Sequence, residues 1–104
     1  MSTKKKSNAM KFMEELVGEP LSFGMALKSS REMNNLTQQA LADKAGVSRA
    51  FICDLEKGRR IPSPELAAKY ARLLNDSVTQ FVRLSVQDQI RRANLDIELK
   101  VVAA

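Results

Sequence analysis

The sequence predicts an all-α domain of five helices, and three observations support that prediction. A Ser or Thr precedes each of five segments, where its side-chain oxygen can accept a hydrogen bond from a free helix N–H group; these residues are Ser22, Thr37, Ser48, Ser63 and Ser77. Residues that tolerate a left-handed backbone follow three of the segments, namely Asn34 with Asn35, Gly46 and Gly58. The chain has 104 residues and 44% hydrophobic content, which suits one domain with a modest core.

The helical domain is predicted to cover residues 22–93. Its helices run from Ser22 to about Met33, over residues 38–45, from Ser48 to Lys57, from Ser63 onwards, and from Ser77 to about Ala93. Pro64 takes the first position of the fourth helix, where its missing N–H costs nothing. Ser77 and Gln80 have the spacing of a capping box, in which each side chain bonds to the other residue's backbone N–H.

Residues 1–21 are predicted to form an N-terminal arm that is disordered when free. The arm begins with a polar, lysine-rich run of eight residues. An apolar stripe at helical spacing follows, and its residues are Met10, Phe12, Met13, Leu16 and Val17. The sequence Gly-Glu-Pro at 18–20 then interrupts the stripe. Because a short isolated helix is marginal in water, its apolar face needs a cover, either the chain's own domain or another protein.

Residues 94–104 are predicted to form a strand, because apolar and charged residues alternate there. The apolar positions are Leu95, Ile97, Leu99 and Val101. A lone strand cannot satisfy its own backbone groups. Antiparallel pairing with a second copy, centred on Glu98, would place Asp96 opposite Lys100, and opposite charges favour that register. The strand therefore indicates a homodimer, and the alternative is a tail that packs on its own domain or frays.

The charge distribution favours a polyanionic partner and gives little support to catalysis. Net charge is +5, and residues 21–75 contain nine basic and five acidic residues. His is absent, which removes the commonest general base and metal ligand. The single cysteine, Cys53, excludes an intrachain disulfide. We therefore expect a cytoplasmic protein with no catalytic site, no metal, no cofactor and no membrane association.

Residues 38–56 have the spacing of a helix-turn-helix, in which two short helices cross closely. The crossing needs a small residue, which Ala42 supplies, and the turn needs a positive φ, which Gly46 supplies. The buried faces need apolar residues, and these are Leu41, Ala45, Val47, Ile52 and Leu55. A helical hairpin packed for stability alone would explain Ala42 and Gly46 less well. The pattern therefore predicts a helix-turn-helix.

Residues 27–75 resemble the Cro/C1-type repressor domain of five helices. The resemblance is carried by Arg31, by Leu-Thr-Gln at 36–38 with Leu-Ala at 41–42, by Ala-Gly-Val-Ser at 45–48, and by Leu-Glu-Lys-Gly-Arg at 55–59 followed by Pro62. It implies that the third helix lies in the major groove of operator DNA. It also implies that Arg31 and Glu56 form an ion pair that links the first and third helices.

The resemblance implies a set of DNA-contacting residues: Gln38, Ser48, Arg49, Ala50, Phe51, Asp54, Lys57, Arg59 and Arg60. The guanidinium of Arg49 suits two acceptors on guanine, and Ala50 and Phe51 suit thymine methyl groups. The amide and backbone N–H groups at Gln38 suit a phosphate, and the last three basic residues suit the DNA backbone. The alternatives are solvated surface charges, and a protein contact at Phe51.

The layout of arm, helix-turn-helix and terminal strand resembles the HigA-type antitoxins of bacterial toxin–antitoxin operons. That resemblance implies a repressor of its own operon that also blocks a small mRNA-cleaving RNase toxin. The arm would bind the toxin through Met10, Phe12, Met13, Leu16 and Val17. The alternatives are a phage-like or restriction–modification controller without a toxin, and an adaptor that uses the helix-turn-helix as a scaffold.

Overall fold

Five helices occupy residues 21–93, which are the residues that the computed structural model describes. They are α1 (Phe23–Met33), α2 (Gln38–Ala45), α3 (Arg49–Glu56), α4 (Pro64–Leu73) and α5 (Val78–Arg92). The prediction of a five-helix domain is thus confirmed. The toxin-binding prediction at residues 10–17 and the strand prediction at residues 95–101 lie outside the described residues, and both stay predictions. None of the helices within residues 21–93 is long and apolar enough to cross a membrane.

Each helix begins at the Ser or Thr that the sequence predicts. The side-chain oxygen of each capping residue accepts a hydrogen bond from the N–H three residues later, at 3.0–3.2 Å, and the capping residues are Ser22, Thr37, Ser48, Ser63 and Ser77. A cap of this kind stabilises a helix by about 1 kcal/mol. The helix-ending residues Asn35, Gly46 and Gly58 have the expected positive φ, at 57°, 72° and 76°. Asn34, named with Asn35, is not left-handed, since its φ is −90°.

The predicted capping box at the start of α5 is only half present. Ser77 accepts from the Gln80 N–H as expected, but the Ser77 N–H donates to Asp76 Oδ1 at 2.7 Å. The Gln80 side chain is buried and accepts instead from the Arg83 guanidinium, at 3.1 and 3.2 Å. Asp76 is the immediate neighbour of Ser77, so its carboxylate satisfies that N–H without help from Gln80.

The core contains buried side chains from all five helices, and α4 and α5 make the most extensive helix–helix contact. Phe23 and Phe81 meet edge to face, with ring centroids 5.6 Å apart. Fully buried side chains of this size each contribute about 1.5–3 kcal/mol. Asp88 of α5 accepts the Phe23 N–H at 2.8 Å and so satisfies a free donor at the start of α1. Desolvation by burial raises the pKa of the Asp88 carboxyl, although this hydrogen bond and nearby Arg91 act in the opposite direction.

A glycine near the start of α1 lets that helix pack directly against the end of α3. A Cβ at Gly24 would lie 2.5 Å from the Leu55 carbonyl oxygen and 2.6 Å from that of Glu56. Real Cβ atoms do not approach backbone that closely, so the backbones would have to separate. The carboxyl end of α3 is therefore fixed against α1.

Candidate nucleic-acid interface

The turn between α2 and α3 has the predicted geometry of a helix-turn-helix. Ala42 is fully buried where the helices pack, and the Val47 N–H donates to its carbonyl oxygen at 3.0 Å. Gly46 is left-handed, with open space where a Cβ would be. Of the five predicted apolar positions, four are buried and Val47 is partly buried against the core. The helix-turn-helix prediction is confirmed.

The amino-terminal turn of α3 faces solvent. Ser48, Arg49 and Ala50 are exposed, whereas Ile52 and Leu55 on the opposite side are buried. Phe51 is half-buried, and the Arg60 guanidinium lies over its ring at 5.3 Å, a cation–π contact. The four residues predicted to face bases thus occupy the exposed start of one helix, while the far end of that helix is held in the domain.

The predicted ion pair between Arg31 and Glu56 is present and buried. Arg31 Nε donates to Glu56 Oε2 at 2.6 Å, and Arg31 Nη2 donates to Oε1 at 3.2 Å. The two side chains are only 10% and 3% exposed. Arg31 Nη1 also donates to the Leu36 carbonyl oxygen at 2.8 Å. The hydrogen bond with Glu56 raises the pKa of Arg31 above its usual range, so Arg31 stays charged, and the pair joins α1 to α3.

Gln38 connects this buried pair to Arg49 at the protein surface. Its Nε2 donates to Glu56 Oε1 at 3.0 Å, and its Oε1 accepts from Arg49 Nη1 at 3.2 Å. The side-chain amide predicted to bind a phosphate is therefore engaged with two protein partners in the free chain. The sequence did not predict this bridge, although Gln38 at the first position of α2 and Arg49 at the first position of α3 were both identified as DNA contacts.

Asp54 is turned toward the loop that follows α3. Its Oδ1 accepts from Arg59 Nη1 at 3.2 Å, and its Oδ2 lies 3.8 Å from Arg60 Nε. Lys57 is exposed beside them. The sequence predicted all four residues to contact DNA, and the structure brings them together at the carboxyl end of α3. Whether each one contacts DNA stays a prediction.

Arg92 is a basic residue of this region that sequence reasoning missed. It lies in the last turn of α5, and its Nη2 donates to the Gly58 carbonyl oxygen at 2.8 Å and to that of Arg59 at 3.4 Å. Arg92, Arg59, Arg60 and Phe51 help to line an open surface hollow between α3 and α4. No local pattern connects residues 34 positions apart, so only the fold reveals this contact.

The chain is similar to known transcriptional regulators over its central part. The helix-turn-helix family profile matches residues 27–80, just over half of the chain. An uncharacterised HTH-type transcriptional regulator of Methanocaldococcus jannaschii is 52% identical over 46 residues, which are 44% of this chain and 70% of that protein. The immunity repressor protein of Bacillus phage phi105 is 34% identical over 62 residues, which are 60% of this chain and 43% of that protein.

A solved structure has the same arrangement of helices. The crystal structure of the clp gene regulator ClgR from Corynebacterium glutamicum matches with a TM-score of 0.54 and 30% identity. The match covers 69% of this chain and 78% of that one. The family match over residues 27–80 coincides with the helix-turn-helix described above and with the buried pair of Arg31 and Glu56. The chain therefore belongs to the Cro/C1-type helix-turn-helix family of DNA-binding transcriptional regulators.

Proposed function

We propose that the protein is a sequence-specific transcriptional repressor that reads operator DNA with the start of α3. The observation that carries the proposal is the exposure of Ser48, Arg49 and Ala50 on a helix whose other end is fixed against α1. A major groove admits one α-helix, and a recognition helix reads bases with its amino-terminal residues. The exposed turn of α3 meets both requirements.

The contacts divide into base readers and backbone contacts. We assign Arg49 to a guanine, because its two donors match the O6 and N7 acceptors. Gln38 already accepts a hydrogen bond from Arg49, which orients that side chain before DNA binds. Ala50 and Phe51 are assigned to thymine methyl groups. Lys57, Arg59 and Arg60 are assigned to phosphates, whose contacts position the protein without reading sequence.

The repressor is proposed to act in the cytoplasm as a homodimer on a two-fold operator. Two recognition helices would enter successive major grooves about 34 Å apart. The proposed dimer element is the strand at residues 95–101, where four apolar residues alternate with charged ones. Deleting residues 94–104 should then yield a monomer in sedimentation and weaken binding to a two-half-site operator much more than binding to one half-site.

In the first experiment, a preferred duplex is selected from a random DNA library. The affinity of the protein for this duplex and for a scrambled duplex is then measured by titration at two salt concentrations. We expect salt-sensitive binding that favours the selected duplex. Arg49→Ala should relax the preference at one base pair, with a cost of about 1–3 kcal/mol on the preferred site. Arg72→Ala, an exposed arginine at the end of α4, is the matched control and should change neither affinity nor preference.

Two results would contradict the proposal in different ways. Failure of the wild-type chain to bind any duplex at either salt concentration would remove the repressor function and favour the adaptor alternative. An unchanged preferred site in Arg49→Ala would remove only the assignment of Arg49 as a base reader.

The narrower proposal is that the repressor is also the antitoxin of a toxin–antitoxin pair. Its support is the apolar stripe at residues 10–17, preceded by a lysine-rich run and followed by a helix breaker. A segment that folds on binding spends part of its contact energy on ordering. Deleting residues 1–20 should abolish neutralisation of a toxin encoded beside this gene while DNA binding persists. Full neutralisation by the shortened chain would disprove the role of the stripe.

A regulator without a toxin is the second candidate, and the similarity to a phage immunity repressor favours it. The two candidates differ in one observation, which is the presence of a small RNase gene next to the gene for this chain. If no such RNase gene is present, we propose a phage-like or restriction–modification controller in place of an antitoxin.

A further inference from the structure

Two arginines that are proposed to bind phosphate share one carboxylate in the free protein. Asp54 accepts from Arg59 Nη1 at 3.2 Å, and its other oxygen lies 3.8 Å from Arg60 Nε. The arginine side chains are 61% and 62% exposed, and the Asp54 side chain is 33% exposed. Ion pairs this exposed are weak and readily exchange partners. A DNA phosphate can therefore compete for both guanidinium groups.

The shape of the loop does not depend on the Asp54 carboxylate. The backbone N–H groups of Arg59 and Arg60 donate to the Asp54 carbonyl oxygen, at 2.9 and 3.3 Å. The Gly58 N–H donates to the Leu55 carbonyl oxygen at 3.2 Å, and Arg92 holds the Gly58 carbonyl oxygen from α5. None of these hydrogen bonds involves the Asp54 carboxylate, because each uses the Asp54 backbone carbonyl or atoms of other residues. Replacing the carboxylate by an amide of the same shape leaves all of them in place.

The remaining effect of the carboxylate is electrostatic. It places one negative charge beside the guanidinium groups of Arg59 and Arg60, in a hollow that Arg92 also lines. Lys57, three residues later, is exposed. The carboxylate therefore removes about one of the positive charges that this end of α3 could offer to a polyanion. Counterion release makes the affinity for DNA depend on the number of phosphates that the protein neutralises.

We propose that Asp54 is an affinity-setting residue, whose carboxylate competes with DNA phosphates for Arg59 and Arg60 and reads no base. The inference rests on the proposed DNA-binding function and deepens it. In the free chain the carboxylate partly neutralises both arginines, and in the complex it lies close to the phosphates that displace it. Both effects lower the affinity for every duplex by a similar factor.

The test compares Asp54→Asn with the wild-type chain on the selected duplex and on the scrambled duplex, over a series of salt concentrations. The slope of log affinity against log salt should become steeper by about 0.9, the value expected for one extra phosphate contact. Both duplexes should be bound on the order of five- to tenfold more tightly near 0.1 M salt, with their ratio unchanged. Asp54→Ser, which also lacks the charge, should show the same change of slope.

Asp43→Asn is the matched control for the added positive charge. Asp43 is an exposed carboxylate on α2 whose partner is the Gln39 amide, at 2.9 Å, and no arginine pairs with it within residues 21–93. The Asp43→Asn substitution changes the net charge by the same amount as Asp54→Asn, but it releases no arginine from a carboxylate. It should therefore alter the slope of log affinity against log salt by less than half as much. A second control places Asp54→Asn in an Arg59→Gln, Arg60→Gln background, where the gain in affinity should disappear.

The possible failures are distinguishable. If the wild-type chain binds no duplex, the proposed function itself is wrong. If it binds but Asp54→Asn behaves like Asp43→Asn, the competition does not exist. If Asp54→Asn instead changes which base pair is preferred, the carboxylate reads a base, and if it weakens both duplexes, the carboxylate positions the arginines rather than opposing their contacts. Each of these last three results overturns the inference.

Discussion

Asp54 and Glu56 are carboxylates two residues apart on α3, both paired with arginine, yet their surroundings differ completely. Glu56 is almost fully buried and accepts from Arg31 through two donors and from Gln38 through a third. Asp54 is partly exposed and meets two arginines that are mostly in solvent. The first pair joins two helices, whereas the second lies on the face proposed to meet DNA.

The difference follows from how α3 packs. Gly24 lets α1 approach the carbonyl groups of Leu55 and Glu56, so the side of α3 that carries Glu56 is enclosed. A buried charge that loses its partner leaves the other charge desolvated and unpaired. An exposed charge that loses its partner is simply hydrated. The same chemical pairing therefore serves architecture in one place and stays open to exchange in the other.

Removing Arg31 should give the largest loss of stability. Arg31→Ala leaves Glu56 buried without its main partner, and breaking such a pair costs about 3–5 kcal/mol. Urea denaturation followed by circular dichroism should show this loss, whereas Arg59→Ala should cost less than about 1 kcal/mol. If both variants unfold at the same urea concentration, the distinction between the two pairs is wrong. Arg31→Met combined with Glu56→Leu should recover much of the loss, since apolar replacement removes both charges together.

Tyr70 extends the comparison to a buried polar group that has no partner within residues 21–93. Its side chain is fully buried, and its hydroxyl makes no hydrogen bond within the described part of the chain. Desolvation raises the pKa of Tyr70 to about 12 from 10.0. The unfolded chain therefore loses this proton at a lower pH than the folded chain, and stability falls as pH rises from about 10 toward 12.

The wild-type chain should lose up to about 2–3 kcal/mol over that range relative to Tyr70→Phe, which cannot ionise. At neutral pH the Phe variant should be as stable as wild type or slightly more so, because it buries no unpaired hydroxyl. Tyr70 is the single tyrosine of the chain, so phenolate absorbance reports its titration directly. A midpoint near the ordinary value of about 10 in the folded protein would contradict the buried, unpaired state.

Gly24→Ala tests the contact that encloses Glu56. A helical Gly→Ala change is normally favourable by up to about 1 kcal/mol, but here the Cβ would collide with two carbonyl oxygens. We expect a net loss of about 1–3 kcal/mol, as for other overpacked sites. Gly46→Asn is the control, because open space surrounds Gly46 and Asn tolerates its positive φ. Stabilisation by Gly24→Ala would show that α1 and α3 are not in close contact.

Local signals predicted the frame of this domain well. Serine and threonine caps fixed the starts of all five helices because a cap is satisfied within its own turn. The same local reasoning misplaced the Gln80 side chain, which the fold buries beside Arg83. The Arg31–Glu56 pair could be predicted only from the family resemblance, since its members lie 25 positions apart.

Contacts between elements account for what the sequence did not predict at the candidate interface. The residues of α3 and the following loop were identified from the family resemblance and from their residue types, neither of which showed which of them pair with each other. In the free chain Gln38 bridges Glu56 and Arg49, a pairing that the sequence did not predict, and its contact with a phosphate stays a prediction. Arg92 contacts the loop from the last turn of α5, 34 positions later in the chain. Such pairings depend on where the helices pack, which no local pattern encodes.

Asp54→Asn should have the smallest effect on stability, and a small effect is what would separate the exposed Asp54 carboxylate from the buried Glu56 carboxylate. Exposed pairs contribute about 0–1 kcal/mol, and the loop keeps its backbone hydrogen bonds to the residue 54 carbonyl. We expect the free energy of unfolding, measured by urea denaturation, to change by less than about 0.5 kcal/mol. In a double-mutant cycle, the coupling free energy between Asp54→Asn and Arg59→Ala should be below about 1 kcal/mol. A loss above about 2 kcal/mol would give Asp54 a structural role like that of Glu56. A near-neutral result combined with a steeper salt dependence of DNA binding would mean that this carboxylate acts on the ligand, not on the fold.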